Sequence, residues 1–194
     1  MSLSITAKEK GLASNGFASG SILQTSWGFN TVNASQVFST RSSYGHVPGK
    51  LLCSITPQEV GNKVTLEAHL YWGGWQGTDI AANFRFYKRV NGGTWVAAGT
   101  YSSNPIPTSS ANHGVGTGEY IYRRGGSDSN SSAKSDSMML QDTVTSTLRH
   151  EYAVFWACGY EAGSRTLLWN RANNYGNSYN PIHTCTIVAT EIKG

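Results

Sequence analysis

The chain has 194 residues, 13% of them charged, and its 15 Lys and Arg against 11 Asp and Glu leave a formal charge of +4. That length fits one domain of ordinary size whose core needs no covalent staples. Charge is at about half its usual share, and basic residues cluster only at Lys88-Arg89 and Arg123-Arg124, so the dense stripe of a nucleic-acid site is missing and no apolar run is long enough to span a bilayer.

Taken in chain order, residues 1–20 are rich in Ser, Ala and Gly, with Lys8, Glu9 and Lys10 as their only charges and no sustained period. They read as an N-terminal arm or linker, ordered only where something holds it. The apolar core of a signal peptide is absent from this stretch, so folding in a reducing cytoplasm is expected. From Ser21 the character changes. Ile22, Leu23, Trp27 and Phe29, then Val37 and Phe38, predict two short strands, and the segment from Thr40 to Gly49 reads as a loop.

Lys50 to Gly73 carries the clearest pattern. Leu51, Cys53 and Ile55 alternate with Leu52, Ser54 and Thr56, and after Pro57, Gly61 and Asn62 the row Val64, Leu66, Ala68, Leu70, Trp72 alternates with Thr65, Glu67, His69, Tyr71. A period of two marks half-buried strands, with the second row facing solvent or a partner. The turn residues between them predict that the two strands form an antiparallel hairpin.

GGWQGT then reads as a glycine-rich turn that exposes Trp75. Asn83 to Val90 alternates Phe84 and Phe86 against Arg85, Tyr87 and Arg89, and Asn91-Gly92-Gly93 signals a hairpin returning through Thr94 to Ala98. Tyr101 to Ser135 is the least regular part, the natural place for recognition or for a surface tip. Strand pattern returns at Met138 to Leu140 and at His150 to Tyr160, where both alternate rows are apolar, as in a strand covered on both faces. Thr166 to Trp169 and His183 to Ile192 complete the set. About ten short strands with turn signals and no helix predict an all-β fold, a sandwich or a barrel, over residues 21–194, and an antiparallel, jelly-roll-like β-sandwich is the form expected.

Catalytic chemistry is weakly represented. The five histidines never approach metal-ligand spacing, and Cys53, Cys158 and Cys185 lie far apart in predicted strands, so no metal and no cofactor are expected. A glycan hydrolase would need two facing carboxylates. Glu67 has the best position for one of them, with Glu119, Asp142 and Glu151 as candidate partners. Aromatic residues say more: Trp75, Tyr44, Tyr120, Tyr122, Tyr175 and Tyr179 sit in loops or short edge pieces among Asn and Ser, the mixture that stacks on sugars or packs against a partner.

The order of several short pieces resembles a family of β-rich domains in bacteriophage virion proteins, found in tail fibres and other capsid-attached appendages of marine and cyanobacterial phages. The pieces are Leu23-Gln24, Leu51 to Pro57, Lys63 to Leu66, Phe84 to Arg89 with Gly92-Gly93, Glu151 to Val154, and the terminal Thr186 to Ile192. The family often carries Asp-x-Pro before its late strand, whereas Asp142 here is followed by Thr143 and Val144. The resemblance implies a non-enzymatic structural component of the virion, a trimer attached to other virion proteins through its N-terminal arm, with host-surface glycan as a further contact. A lectin-like carbohydrate-binding module is the alternative reading. On either reading Trp75, Tyr120, Tyr122, Tyr175 and Tyr179 are the expected binding residues. The low-charge row Thr65, Glu67, His69, Tyr71 is the expected contact with a neighbouring subunit.

Overall fold

The computed structural model describes residues 2–6, 18–38, 44–75, 81–99, 120–124, 134–158, 165–170 and 183–194. Within them lie twelve strands: β1 (Ser2–Thr6), β2 (Ile22–Asn30), β3 (Ala34–Phe38), β4 (Gly45–Ile55), β5 (Lys63–Trp75), β6 (Ala81–Val90), β7 (Val96–Ala97), β8 (Tyr120–Arg124), β9 (Lys134–Thr143), β10 (His150–Cys158), β11 (Arg165–Trp169) and β12 (Cys185–Ile192). They form two antiparallel sheets, one of seven strands and one of five. The protein is an all-β sandwich.

Eight of the strands wind as a jelly roll. β2-β12-β5-β9 in the larger sheet faces β4-β10-β6-β8 in the smaller. Four pairs define the winding: β2 with β12, β4 with β10, β5 with β9 and β6 with β8. Each strand of the first half thus pairs with its mirror-image partner in the second half, like a long hairpin rolled up. β5 is long enough to hold β12 along Lys63–His69 and β11 along Trp72–Trp75 on one edge while β9 takes the other. β3 extends the sheet beyond β11, and β1 covers the far edge of β2. Ser2–Thr6, read as part of an arm, are therefore an edge strand.

The winding overturns the expected hairpin. β4 and β5 belong to different sheets, so residues 56–62 form an arch across the sandwich instead of a turn between ladder partners. The alternation in both strands was real, but their apolar rows face each other across the interior: Leu51, Cys53 and Ile55 on one side, Val64, Leu66, Ala68, Leu70 and Trp72 on the other, all 2% exposed or less. Two further expectations fail for related reasons. Thr40 to Gly49 is not all loop, because β4 starts at Gly45 and bulges between His46 and Leu51, with Gly49 and Lys50 at φ 71° and 55°. Gly73-Gly74-Trp75 is not a turn, because β11 pairs with it.

Sequence and structure agree elsewhere. Asn91 and Gly92 both have positive φ, 49° and 74°, and join β6 to β7 with Gly93 N donating to Val90 O at 3.0 Å. β10 lies between β4 and β6 and is buried on both rows from Tyr152 to Ala157. The core is knit by tryptophans: Trp156 and Trp169 meet edge to face at 5.7 Å, and Trp72 contacts Phe84 at 5.6 Å.

Buried polar groups tie the layers together at defined points. Glu191 of β12, fully buried, accepts from Gln24 Nε2, Asn62 Nδ2 and Gln58 N at 2.5, 2.6 and 2.9 Å, which fixes the arch between β4 and β5. Asp142 of β9 receives Lys88 Nζ at 2.7 Å and the Tyr152 hydroxyl at 3.0 Å from the opposite sheet. Asp136 accepts from Trp72 Nε1 at 2.8 Å. Both aspartates point inward from an edge strand, a known way of keeping such an edge from pairing with other chains. Where β2 crosses β4 the sheets touch: a Cβ on Gly28 would overlap the Leu52 carbonyl and lie 2.9 Å from Ile187 Cγ2, so only glycine fits.

Candidate functional site

The two outer faces of the sandwich differ in chemistry. On the seven-stranded sheet the ladder sets outward residues in rows. Thr25, Thr190, Thr65 and Gln141 form one row; Trp27, Val188, Glu67 and Met139 the next; Phe29, Thr186, His69 and Ser137 the third. Thr65, Glu67, His69 and Tyr71, the expected contact row, run down the middle, with Glu67 and His69 exposed and Thr65 and Tyr71 half-buried. Phe29 and Met139 are 44% and 57% exposed. Among the described residues, the charges on this face are Glu67 and, at its end, Lys63.

A shallow groove of about 290 Å³ opens on the same face, lined by Glu67, Ala68, His69, Ser137, Met138 and Met139. In it His69 Nδ1 and Ser137 Oγ are 2.8 Å apart. A hydroxyl beside an imidazole is the start of a nucleophilic pair, but such a pair also needs a third group orienting the base and donors for an oxyanion. Neither a carboxylate contact to His69 nor an inward-aimed donor is present among the described residues. Nor do Asp142 and Glu151 face Glu67. Asp142 points into the core against Lys88, and Glu151 lies on the other sheet, ion-paired to Arg89 at 2.7 Å. Glu119 is outside the described residues.

On the five-stranded sheet the outer face carries aromatic rings. Phe155 of β10 is the floor, 7% exposed. Tyr87 of β6 stacks on it with centroids 4.3 Å apart and planes 23° from parallel, and His46 of β4 lies 4.1 Å away. Trp95, just before β7, closes over Phe155 at 5.5 Å and meets His46 edge-on at 5.1 Å. Tyr44 adds a ring 5.9 Å from Tyr87. The Arg89 guanidinium sits 4.8 Å above the Trp95 ring while bonded to Glu151. The β4 bulge makes this cluster: skipping four residues brings His46 opposite Phe155. Tyr44, His46, Tyr87 and Trp95 all remain partly exposed.

Electrostatics at the cluster lean positive. Burial first, then Lys50 and Arg89, hold the His46 imidazolium below its ordinary pKa, and burial pushes the Tyr87 phenol up. The buried thiols behave differently. Burial raises both Cys53 and Cys185 to about 12, so neither is a nucleophile at neutral pH.

Of the expected binding aromatics, Tyr120 continues the ladder row His46, Phe155, Arg85 by one strand. Trp75 ends β5 opposite Thr166, and Tyr120 and Tyr122 lie in β8 opposite Arg85 and Asn83; their side chains are outside the described set. Tyr175 and Tyr179 lie outside the described residues altogether. Among the described residues no three His, Cys, Asp or Glu side chains are grouped to hold a metal ion. Among the described residues no helix is long and apolar enough to cross a membrane. No protein-family model matches the chain, and no curated protein matches it in sequence.

Proposed function

We propose that the chain is a structural, non-enzymatic subunit of a bacteriophage particle, part of a tail fibre or of the capsid-surface decoration. On this reading it assembles as a trimer through the outer face of the seven-stranded sheet and meets host-surface glycans in the virion. The observation that carries this is the three-row grid in which Trp27, Phe29, Val188 and Met139 lie among Thr, Gln, Ser and His side chains with Glu67 as its one central charge. Interface cores are depleted in charge and enriched in aromatics and Met. Four strands at about 4.8 Å spacing, over Thr65–Tyr71 at about 3.3 Å per residue, give a face of roughly 440 Å². Two such faces together hide on the order of 900 Å², the size of a weak contact that repeated copies reinforce.

Two other features support the reading. The jelly roll is a common architecture of viral capsid domains, although it also serves lectins and decides nothing alone. The pieces that carry the phage resemblance also meet in space, since Gln24 of the first piece bonds Glu191 of the last. Residues 1–20 are then the attachment to other virion proteins, and an edge strand such as β1 is suited to pairing with a foreign sheet.

Light scattering on the full chain tests the assembly. A trimer mass that falls to that of a monomer in Met139→Lys is expected, because Met139 is exposed and its replacement leaves the core alone. A parent protein that is monomeric at all concentrations refutes the proposal.

A further inference from the structure

We propose that the outer face of the five-stranded sheet, at Tyr44, His46, Tyr87, Trp95 and Phe155, is a binding site for an acidic saccharide. This deepens the glycan contact of the reading above, but it names a different face from the one proposed for assembly.

Three observations point there. First, the outer face of an antiparallel sheet is ordinarily polar, yet five rings gather on this one and four of them stay partly exposed. Rings already held by stacking lose little freedom when a sugar packs its C–H face on them. Second, His46 Nδ1 is buried with no hydrogen-bond partner. Such an atom wants a partner, and a sugar hydroxyl serves whichever tautomer the ring adopts, since it both donates and accepts. Third, among the described residues the charges beside the rings are Lys50 from β4, Arg85 and Arg89 from β6 and Arg149 just before β10, with Glu151 paired to Arg89 and Arg149. That excess of positive charge complements one carboxylate on a sugar ring.

A nucleic acid would also stack on rings and seek cations. Arg89 and Arg149 converge on the Glu151 carboxylate instead of following a line, so among the described residues the cations do not form the groove that tracks a phosphate backbone. A single acidic sugar unit fits the arrangement better.

The test titrates the full chain with sialyllactose and oligogalacturonate, with maltose as the neutral comparison and an oligo-dT as the competing class, reading tryptophan fluorescence and calorimetric heat. Expected is saturable binding of at least one acidic sugar, at least tenfold tighter than maltose and weakened by salt. Trp95→Ala should lower that affinity at least tenfold, and Trp95→Phe less than threefold. Lys50→Gln alters an exposed charge without touching the core, so it covers the case in which Trp95→Ala fails to fold; a loss of threefold or more is expected. Absence of acidic-sugar binding, equal affinity in both Trp95→Ala and Lys50→Gln, or tighter binding of oligo-dT overturns the proposal. None of these outcomes alters the mass measured by light scattering, so the two proposals fail separately.

Discussion

Gly28→Ala probes the closest approach between the two sheets. The added methyl overlaps the Leu52 carbonyl oxygen and sits 2.6 Å from its carbon, while Ile187 Cγ2 at 2.9 Å blocks retreat to the other side. Carbon atoms rest at about 3.5–4.0 Å, so β4 must move by about 1 Å at this crossing, and a gap of that size forfeits about a quarter to a half of each van der Waals contact it opens. Leu51 and Cys53 flank Leu52 and are fully buried, so the loosening is felt in the core. Overpacking costs typically about 1–3 kcal/mol; with backbone as the obstacle, about 3 kcal/mol or more is expected. For a domain of this size that lowers Tm by roughly 6–12 °C. Urea unfolding followed by tryptophan fluorescence measures it as a fall in midpoint at constant slope. Gly45→Ala is the control, since a Cβ there meets nothing within 4 Å, and it should lie within about 0.5 kcal/mol of the parent. If Gly28→Ala is equally mild, β2 and β4 do not touch at Gly28 and Leu52.

Three further outcomes follow from the buried groups. Asp142→Ala strands the Lys88 ammonium in the core and should cost about 3 kcal/mol in urea, and adding Lys88→Met should recover more than half of it; a double variant no better than the single one contradicts the pairing. Because His46 is held below its ordinary pKa of about 6.5, the unfolded chain binds that proton more tightly. Its contribution is complete above the unfolded value and is lost as pH falls towards the folded one. His46→Gln should therefore flatten the decline in stability between pH of about 7 and 5, and parallel curves would exclude His46 as a source. With both thiols raised to about 12, Cys53 and Cys185 should resist iodoacetamide at pH of about 8 until urea is added; peptide mapping that finds either one alkylated in the native protein contradicts their burial.

What the sequence made legible was local. The period of two in β5 and the Asn91-Gly92 turn are written in adjacent residues, and both are found as expected. The two apolar rows of β10 correctly announced a strand covered on both faces. Ladder partners are different, because a jelly roll pairs strands that lie far apart in the chain, and turn residues such as Gly61-Asn62 serve an arch as well as a hairpin. That is why β4 and β5 were placed side by side. The β4 bulge was hidden by Pro48-Gly49, which look like loop and act as a kink within a strand. Of the aromatic cluster the sequence shows only Tyr44 as a candidate contact, for both reasons together. Tyr44 sits in a segment that reads as loop and Trp95 in the short return of a hairpin, and only the order β4-β10-β6 and the bulge gather them around Phe155 and Tyr87. One signal was available: a strand apolar on both rows needs something covering its outer side.

The mirror-image pairing also sets an order of events during synthesis. When β2, β4, β5 and β6 have left the ribosome, none of their jelly-roll partners yet exists, and the apolar rows of β4 and β5 must wait for β8 to β12. Non-local pairing of this kind slows folding and leaves strand edges open to other chains in the meantime. The last strand, β12, enters between β2 and β5 and brings Glu191, the residue that locks the arch. The nascent chain is thus most vulnerable to aggregation just before its final eight-residue strand is complete. Slow local synthesis or a chaperone at that step would limit the loss.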